Sequence, residues 1–248
     1  MHRLAPTPGH LRLFVTPEHP CNYLQEQKAI TAFADPEYPK SPQLQGQLAE
    51  QGYRRSGQHL YRPRCAQCSA CIPIRLPVSR FRPNRSQQRC RQQNQDLEVC
   101  ILPAAFSDEH YRLYCRYQAD RHPGGGMDKP TPQQFCDFLF CDWAQTSLIE
   151  FRMQGRLLSV AICDYLPQAL SAVYTFYDPK ACRRSPGVYA VLWQIEHARQ
   201  QAMPWLYLGY LIRSCRKMAY KANYLPHQQL LGNDWVEFTS ADGQRARG

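Results

Sequence analysis

Apolar and polar residues alternate along some stretches of the chain and recur at three- and four-residue spacing along others. Leu11-Arg12-Leu13-Phe14-Val15 has the alternation of a strand. Gln25 to Phe33 has a short helical pattern, and Asp35 to Pro42, with three prolines, is a loop. Pro42 to Gln51 predicts a helix stopped by Gly52. Strands are expected around 53–61 and 70–79, a polar basic helix over Ser86 to Asn94, and a strand over Leu97 to Leu102. Ser107 is a good N-cap for a helix carrying Tyr111, Leu113, Tyr114 and Tyr117, which ends before the loop His122 to Met127. Thr131 caps the next helix, opened by Pro132 and running to about Trp143. Strands follow over 147–153, 156–165 and 170–177, with Gln154-Gly155 as a tight hairpin turn between the first two. Gly187 to Gln201 is an amphipathic helix with Val188, Val191, Leu192, Ile195 and Ala198 on one side. Trp205 to Tyr210 is a strand, followed by a short helix and a C-terminal strand. Residues 1–10 and the polar tail from Ser240 read as flexible ends.

These elements predict an α+β protein in two parts. Residues 1–105 form a smaller, cysteine- and arginine-rich N-terminal domain. Residues 106–248 run helix, helix, three antiparallel strands, long helix, strand, which is the order of a GNAT-like acyltransferase domain with a mixed sheet and flanking helices. Element order alone does not assign a function.

Composition sharpens this. With 248 residues and 44% hydrophobic content the chain can bury a substantial core. Its net charge is +10, and arginines concentrate between Arg54 and Arg91. A focused basic patch steers a polyanion better than diffuse charge, which predicts nucleic-acid contact. There are twelve cysteines, but the N-terminus has no apolar signal segment and the chain is too long to need disulfide staples. A reducing cytoplasm is expected, and no apolar run approaches the ~20 residues that span a bilayer.

Cys65-x₂-Cys68-x₂-Cys71 is the densest motif. Thiolates at that spacing can converge on one soft metal, and the alternative is a reduced, metal-free cysteine patch. The C-terminal part has no G-x-S-x-G elbow and no persuasive Cys/His pair. Arg184-x-x-Gly187-x-Tyr189 places a large aromatic where a CoA pyrophosphate loop needs a small residue, which disfavours CoA. The loop containing Gly124-Gly125-Gly126 either approaches a phosphate or is a linker.

Several motifs occur together. They are Cys21-x-Tyr23-Leu24, Gly52-Tyr53-Arg54-Arg55-Ser56-Gly57, Tyr61-Arg62-Pro63 with the cysteine cluster through Arg75, and Phe81-x-Pro83-x-Arg85-Ser86-Gln87. Tyr117-Gln118, Phe176-Tyr177-Asp178-Pro179, Ser185-x-Gly187, Tyr207-Leu208-Gly209-Tyr210, Cys215 and Lys217-Met218-x-Tyr220-Lys221 follow in order. Together they resemble the arginyltransferase/leucyltransferase family of aminoacyl-tRNA–protein transferases over roughly residues 11–235. The short chain and the three-cysteine knuckle resemble its bacterial branch. One departure is Ser185-Pro186-Gly187, where relatives usually carry Ser-Leu-Gly.

The resemblance implies transfer of leucine from leucyl-tRNA to proteins with N-terminal Asp or Glu, marking them for N-degron degradation. It implies no cofactor for the transfer, and a structural zinc or iron–sulfur cluster as an option, with Cys21 as a fourth ligand beside Cys65, Cys68 and Cys71. Arginyl transfer from arginyl-tRNA and a non-catalytic metal-knuckle nucleic-acid-binding protein are the alternatives. Asp178, at the end of a strand, is the leading polar candidate for catalysis, with Tyr177 and Ser185 beside it; an Asx-Pro turn is its structural alternative. Ser185 and Gly187 open a helix whose free N–H groups can hold an anion or a carbonyl oxygen. Tyr174, Tyr177, Tyr207 and Tyr210 either line an acceptor cleft or pack in the core. Arg54, Arg55 and Arg75 are the candidates for the acceptor carboxylate or for tRNA phosphate. Lys217 and Lys221, four apart, share one face if their segment is helical.

Overall fold

The computed structural model describes residues 11–121, 123–124 and 129–241. The expectations for residues 1–10, for most of the glycine-rich loop and for the end of the tail lie outside these residues.

The first half supplies β1 (Leu13–Val15), β2 (His19–Pro20), β3 (Lys28–Ala29), β4 (Thr31–Ala34), α1 (Pro42–Glu50), β5 (Arg54–Ser56), β6 (His59–Pro63), β7 (Ile72–Pro77), α2 (Arg85–Gln93) and β8 (Glu98–Pro103). The second supplies α3 (Asp108–Arg121), α4 (Pro132–Leu139), β9 (Gln145–Met153), β10 (Arg156–Leu166), β11 (Ala169–Tyr177), α5 (Pro186–Gln200), β12 (Trp205–Leu211), α6 (Arg216–Ala219), β13 (His227–Leu231) and β14 (Asp234–Phe238). Local chemistry explains the boundaries. Ser41 and Thr131 accept from the third helical amides of α1 and α4, and Asn84 with Gln87 forms a capping box for α2. Gln154 and Gly155 both hold positive φ, as a two-residue hairpin turn between β9 and β10 requires.

Four expectations are corrected. Gln25 to Phe33 contains β3 and β4, not a helix. The single strand over 53–61 is a hairpin of β5 and β6. The helix opened by Pro132 stops at Leu139, where Phe140 turns extended. The C-terminal strand is the antiparallel hairpin β13–β14.

Among the described residues the main sheet has eight strands in the order β14-β13-β7-β12-β11-β10-β9-β8, drawn from both sides of residue 105. It is a mixed sheet: β11 and β12 run parallel, and the other neighbours are antiparallel. A parallel pair needs a crossover, which α5 provides. Both faces are covered. Ala161 and Cys163 of β10 meet Ala190, Val191 and Ile195 of α5, while Val160 and Ile162 meet Leu113 and Tyr114 of α3 and Phe135 and Leu139 of α4. A four-stranded sheet, β1-β4-β6-β5, packs on α1 through Ala34, Leu48 and Leu60.

The feature that positions the site is a parting of strands. β11 and β12 pair only at Ala169–Trp205, Leu170–Leu206 and Ser171–Tyr207. Beyond Ser171 the carbonyls of β11 face a wedge rather than β12. On its other side β12 has a bulge between Tyr207 and Gly209.

Candidate active site

Arg54, on β5, fills the wedge. Its Nη2 donates to Ala172 O at 2.7 Å and to Val173 O at 3.2 Å, the carbonyls left by the parting strands. The guanidinium lies against Gly209, where a β-carbon would sit 1.5 Å from Nη1. Only glycine allows that approach, and its φ of +81° suits the same residue. The next residue, Tyr210, is fully buried and donates its hydroxyl to Gly52 O at 2.9 Å. Its backbone carbonyl accepts from Lys221 Nζ at 2.8 Å. Burial raises the Tyr23, Tyr61, Tyr210 and Tyr220 hydroxyls, and the nearby Arg54 charge tempers the rise. Burial pushes the Lys221 ammonium well below the usual lysine value, and Arg54 adds to that. Sequence reasoning paired Lys221 with Lys217 as a helix face. Burial of one and exposure of the other follows from tertiary packing, which spacing does not carry.

The remaining candidates fall into separate places. Arg55 is sealed: Nε and Nη2 clasp Asp164 at 2.6 and 2.8 Å, and both side chains are fully buried. Burial pulls the guanidinium down, and the Asp164 hydrogen bond and charge more than offset it. Arg75 binds Glu50 at 2.7 Å and lies between the Trp205 and Trp235 rings, 3.9 and 4.2 Å from their centroids. Both guanidiniums already have carboxylate partners in this arrangement. Tyr207 belongs to the same cluster and donates to Glu50 at 2.5 Å. Tyr174 accepts from Gln118 at 3.0 Å and packs edge-on against Phe138 and Tyr114. Thus the four tyrosines do not share one cleft. Lys217 is exposed and donates to Arg121 O.

Asp178 follows β11 and caps the 3-10 turn Pro179–Arg184, accepting from the Lys180 amide at 2.9 Å. It also pairs with Arg156. Burial pushes its carboxyl up, but the Lys180 amide and Arg156 hold it below the ordinary range. Asp178, Arg156, Arg116, Lys180, Glu109 and Leu157 line a cleft of about 230 Å³. Ser185 has left-handed backbone angles and makes no side-chain cap. Gly187 opens α5 beside the Tyr177 ring, its β-position 3.6 Å from Cε1, and Tyr117 meets Tyr177 edge-on at 4.9 Å. Tyr220 lies near both Tyr177 and Arg54 and meets the Tyr224 ring edge-on.

All twelve cysteines are free. Burial, with Cys21, Cys65, Cys68 and Cys215 nearby, pushes the Cys71 thiol up to about 12. Among the described residues no group of three or more His, Cys, Asp or Glu side chains is arranged to hold a metal ion.

The chain matches the family models described as arginine-tRNA-protein transferase, N terminus, over residues 19–89 and C terminus over 109–231. The aspartate/glutamate leucyltransferase of Saccharophagus degradans is 48% identical over 93% of this chain and 98% of its own. That of Pseudomonas fluorescens is 48% identical over 92% and 97%, and that of Alcanivorax borkumensis 49% over 92% and 94%. Among solved structures, FemX aligns with 65% of this chain and 58% of its own at a TM-score of 0.44 and 8% identity. The L-PGS structure from Bacillus licheniformis aligns with 66% and 48% at a TM-score of 0.40 and 12% identity. Those two partial overlaps carry no argument about function. The sequence matches do: two family models in order and relatives near half-identical along almost the whole length establish that the chain belongs to the arginine-tRNA-protein transferase family.

Proposed function

We propose that the protein transfers leucine from leucyl-tRNA to the α-amine of proteins beginning with Asp or Glu, marking them for N-degron degradation in the cytoplasm. The observation that carries this is 48% identity, over nearly the full length of both chains, to relatives named aspartate/glutamate leucyltransferase. No helix among the described residues is long and apolar enough to cross a membrane.

The chemistry is ester aminolysis. The acceptor amine attacks the aminoacyl carbonyl carbon and a C–N bond forms. The ester C–O bond breaks, and the amine proton ends on the departing ribose oxygen. An α-amine with a pKa of about 8 is partly neutral in the cell, so the reaction needs positioning, oxyanion stabilisation and passage of one proton. The parallel β11–β12 pair, joined by α5 and parting after Ser171, supports a GNAT-like reading of residues 106–248, with residues 1–105 as the Cys/Arg-rich partner domain. Pro186 has no N–H, and the Val188 and Tyr189 amides turn back to Ser185 O. The Gly187 amide has no backbone acceptor among the described residues and is the natural oxyanion donor of that turn. Asp178, held ionised, is a weak base, so its role is to orient the donor end beside Arg156 and Lys180 rather than to take the amine proton. Tyr177 borders the same turn and shapes the site.

The family description names arginine, so arginyl-tRNA is the alternative donor. Transfer of labelled leucine or arginine from its tRNA to peptides beginning with Asp, Glu or Ala decides this. Leucine on Asp and Glu but not Ala is expected. Arginine transfer instead would replace the donor, and no transfer from either with tRNA still bound would leave a binding protein.

A further inference from the structure

Two cations meet at adjacent residues of β12 with no carboxylate between them. Arg54 lies on Gly209, and Lys221, 7% exposed, donates to Tyr210 O. The fully buried Arg55 and the buried Arg75 have acidic partners, Asp164 and Glu50, and half-buried Arg152 has Glu150. Among the described residues neither Arg54 nor Lys221 forms an ion pair. Two like charges held together away from water are costly, and carbonyl oxygens offset only part of that cost. Arg54 Nε and Nη1 have no hydrogen-bond acceptor among the described residues, so the guanidinium retains donors for a ligand. Two tyrosines near Arg54 are part-exposed, Tyr23 at 38% and Tyr220 at 41%.

We propose that this wedge is where the acceptor's first side chain is read, the Asp or Glu carboxylate lying between Arg54 and Lys221. The proposal rests on the transferase reading above. A carboxylate accepts from a free guanidinium donor and compensates both charges. The neutral amide of Asn or Gln has the same shape and compensates neither, so the site discriminates by charge. The depressed ammonium of Lys221 is consistent with this, because an arriving anion restores the charged form. Tyr220 lies near both Arg54 and Tyr177, and the Tyr177 ring lies beside Gly187.

The test is leucine transfer to matched peptides beginning with Asp, Asn, Glu or Gln, using the wild type, Arg54→Met, Lys221→Met and the charge-keeping Arg54→Lys and Lys221→Arg. In each Met variant the Asp/Asn ratio of kcat/KM is expected to fall at least about tenfold, mainly through KM for the Asp peptide. The charge-keeping variants are expected to retain most of the ratio. Equal losses on Asp and Asn peptides, or an unchanged ratio, overturn the proposal. If the Met variants do not fold, inhibition of the wild type decides: N-acetylaspartate is expected to compete with the Asp peptide and N-acetylasparagine not to, and equal behaviour of the two overturns it. A wild type that transfers to no peptide removes the transferase reading instead, and direct binding of the Asp against the Asn peptide then decides the wedge alone.

Discussion

Gly209→Ala tests the wedge through one methyl group. The new carbon would lie 1.5 Å from Arg54 Nη1, 2.3 Å from Cζ and 2.9 Å from Nε. Contacts that short force the guanidinium out. Its two bonds to Ala172 and Val173 are then lost, at about 1.5 kcal/mol each for a charged, part-buried donor. A further ~1–2 kcal/mol comes from placing alanine at a φ of +81°. The expected loss is about 4–5 kcal/mol, tolerable for a domain stable by roughly 5–15 kcal/mol. Urea unfolding of the wild type, Gly209→Ala, Arg54→Ala and the double variant measures it. With Arg54 already removed, Gly209→Ala is expected to cost only the ~1–2 kcal/mol backbone part, a coupling of about 3 kcal/mol. Equal cost in both backgrounds would show that the glycine does not serve Arg54 and would refute the geometry.

Four other outcomes are expected. Asp164→Ala strands the buried Arg55 charge and should lower unfolding free energy by about 3–5 kcal/mol in urea titrations, far more than a surface ion pair would. Hydrogen bonds from Arg152 hold the Glu109 and Glu150 carboxyls below their ordinary values despite burial. That stabilisation is complete above the unfolded pKa of about 4.3 and is lost as pH falls through the lowered folded values, so the stability gap between wild type and Arg152→Met should shrink as pH is taken below about 4.3. Tyr174→Phe leaves the Gln118 amide without its partner and should cost ~1–3 kcal/mol in thermal unfolding with leucine transfer retained, as a core role requires. The raised Cys71 thiol should alkylate more slowly than exposed Cys100 and Cys182 at neutral pH, read by mass spectrometry of iodoacetamide-treated protein.

Elements with local signals were legible. The Gln154-Gly155 turn, the Ser41 and Thr131 caps and the amphipathic pattern of α5 each act within a few residues, and the strands and helices lie close to where those signals put them. Gln25 to Phe33 misled because β4 buries small alanines, Ala32 and Ala34, alternating with Thr31 and Phe33. Alanine favours helices, and only pairing with β1 and β6 makes the alternation decisive. The candidate site was less legible. Adjacent Arg54 and Arg55 look alike in sequence, yet alternation along β5 sends one to the wedge and the other to Asp164. That Arg75 spends its charge on Glu50 and two tryptophans depends on residues far away in the chain.

The order of the main sheet also constrains synthesis. β7 is made early, yet its neighbours are β12 and β13, completed only at residues 211 and 231. A nascent chain emerging at about 5–20 residues per second carries Ile74 and Leu76 without their final cover for many seconds. Contacts so distant in sequence slow folding and leave apolar surface open to association in the meantime. The protein's yield should therefore depend on chaperone supply and translation speed more than its folded stability would suggest.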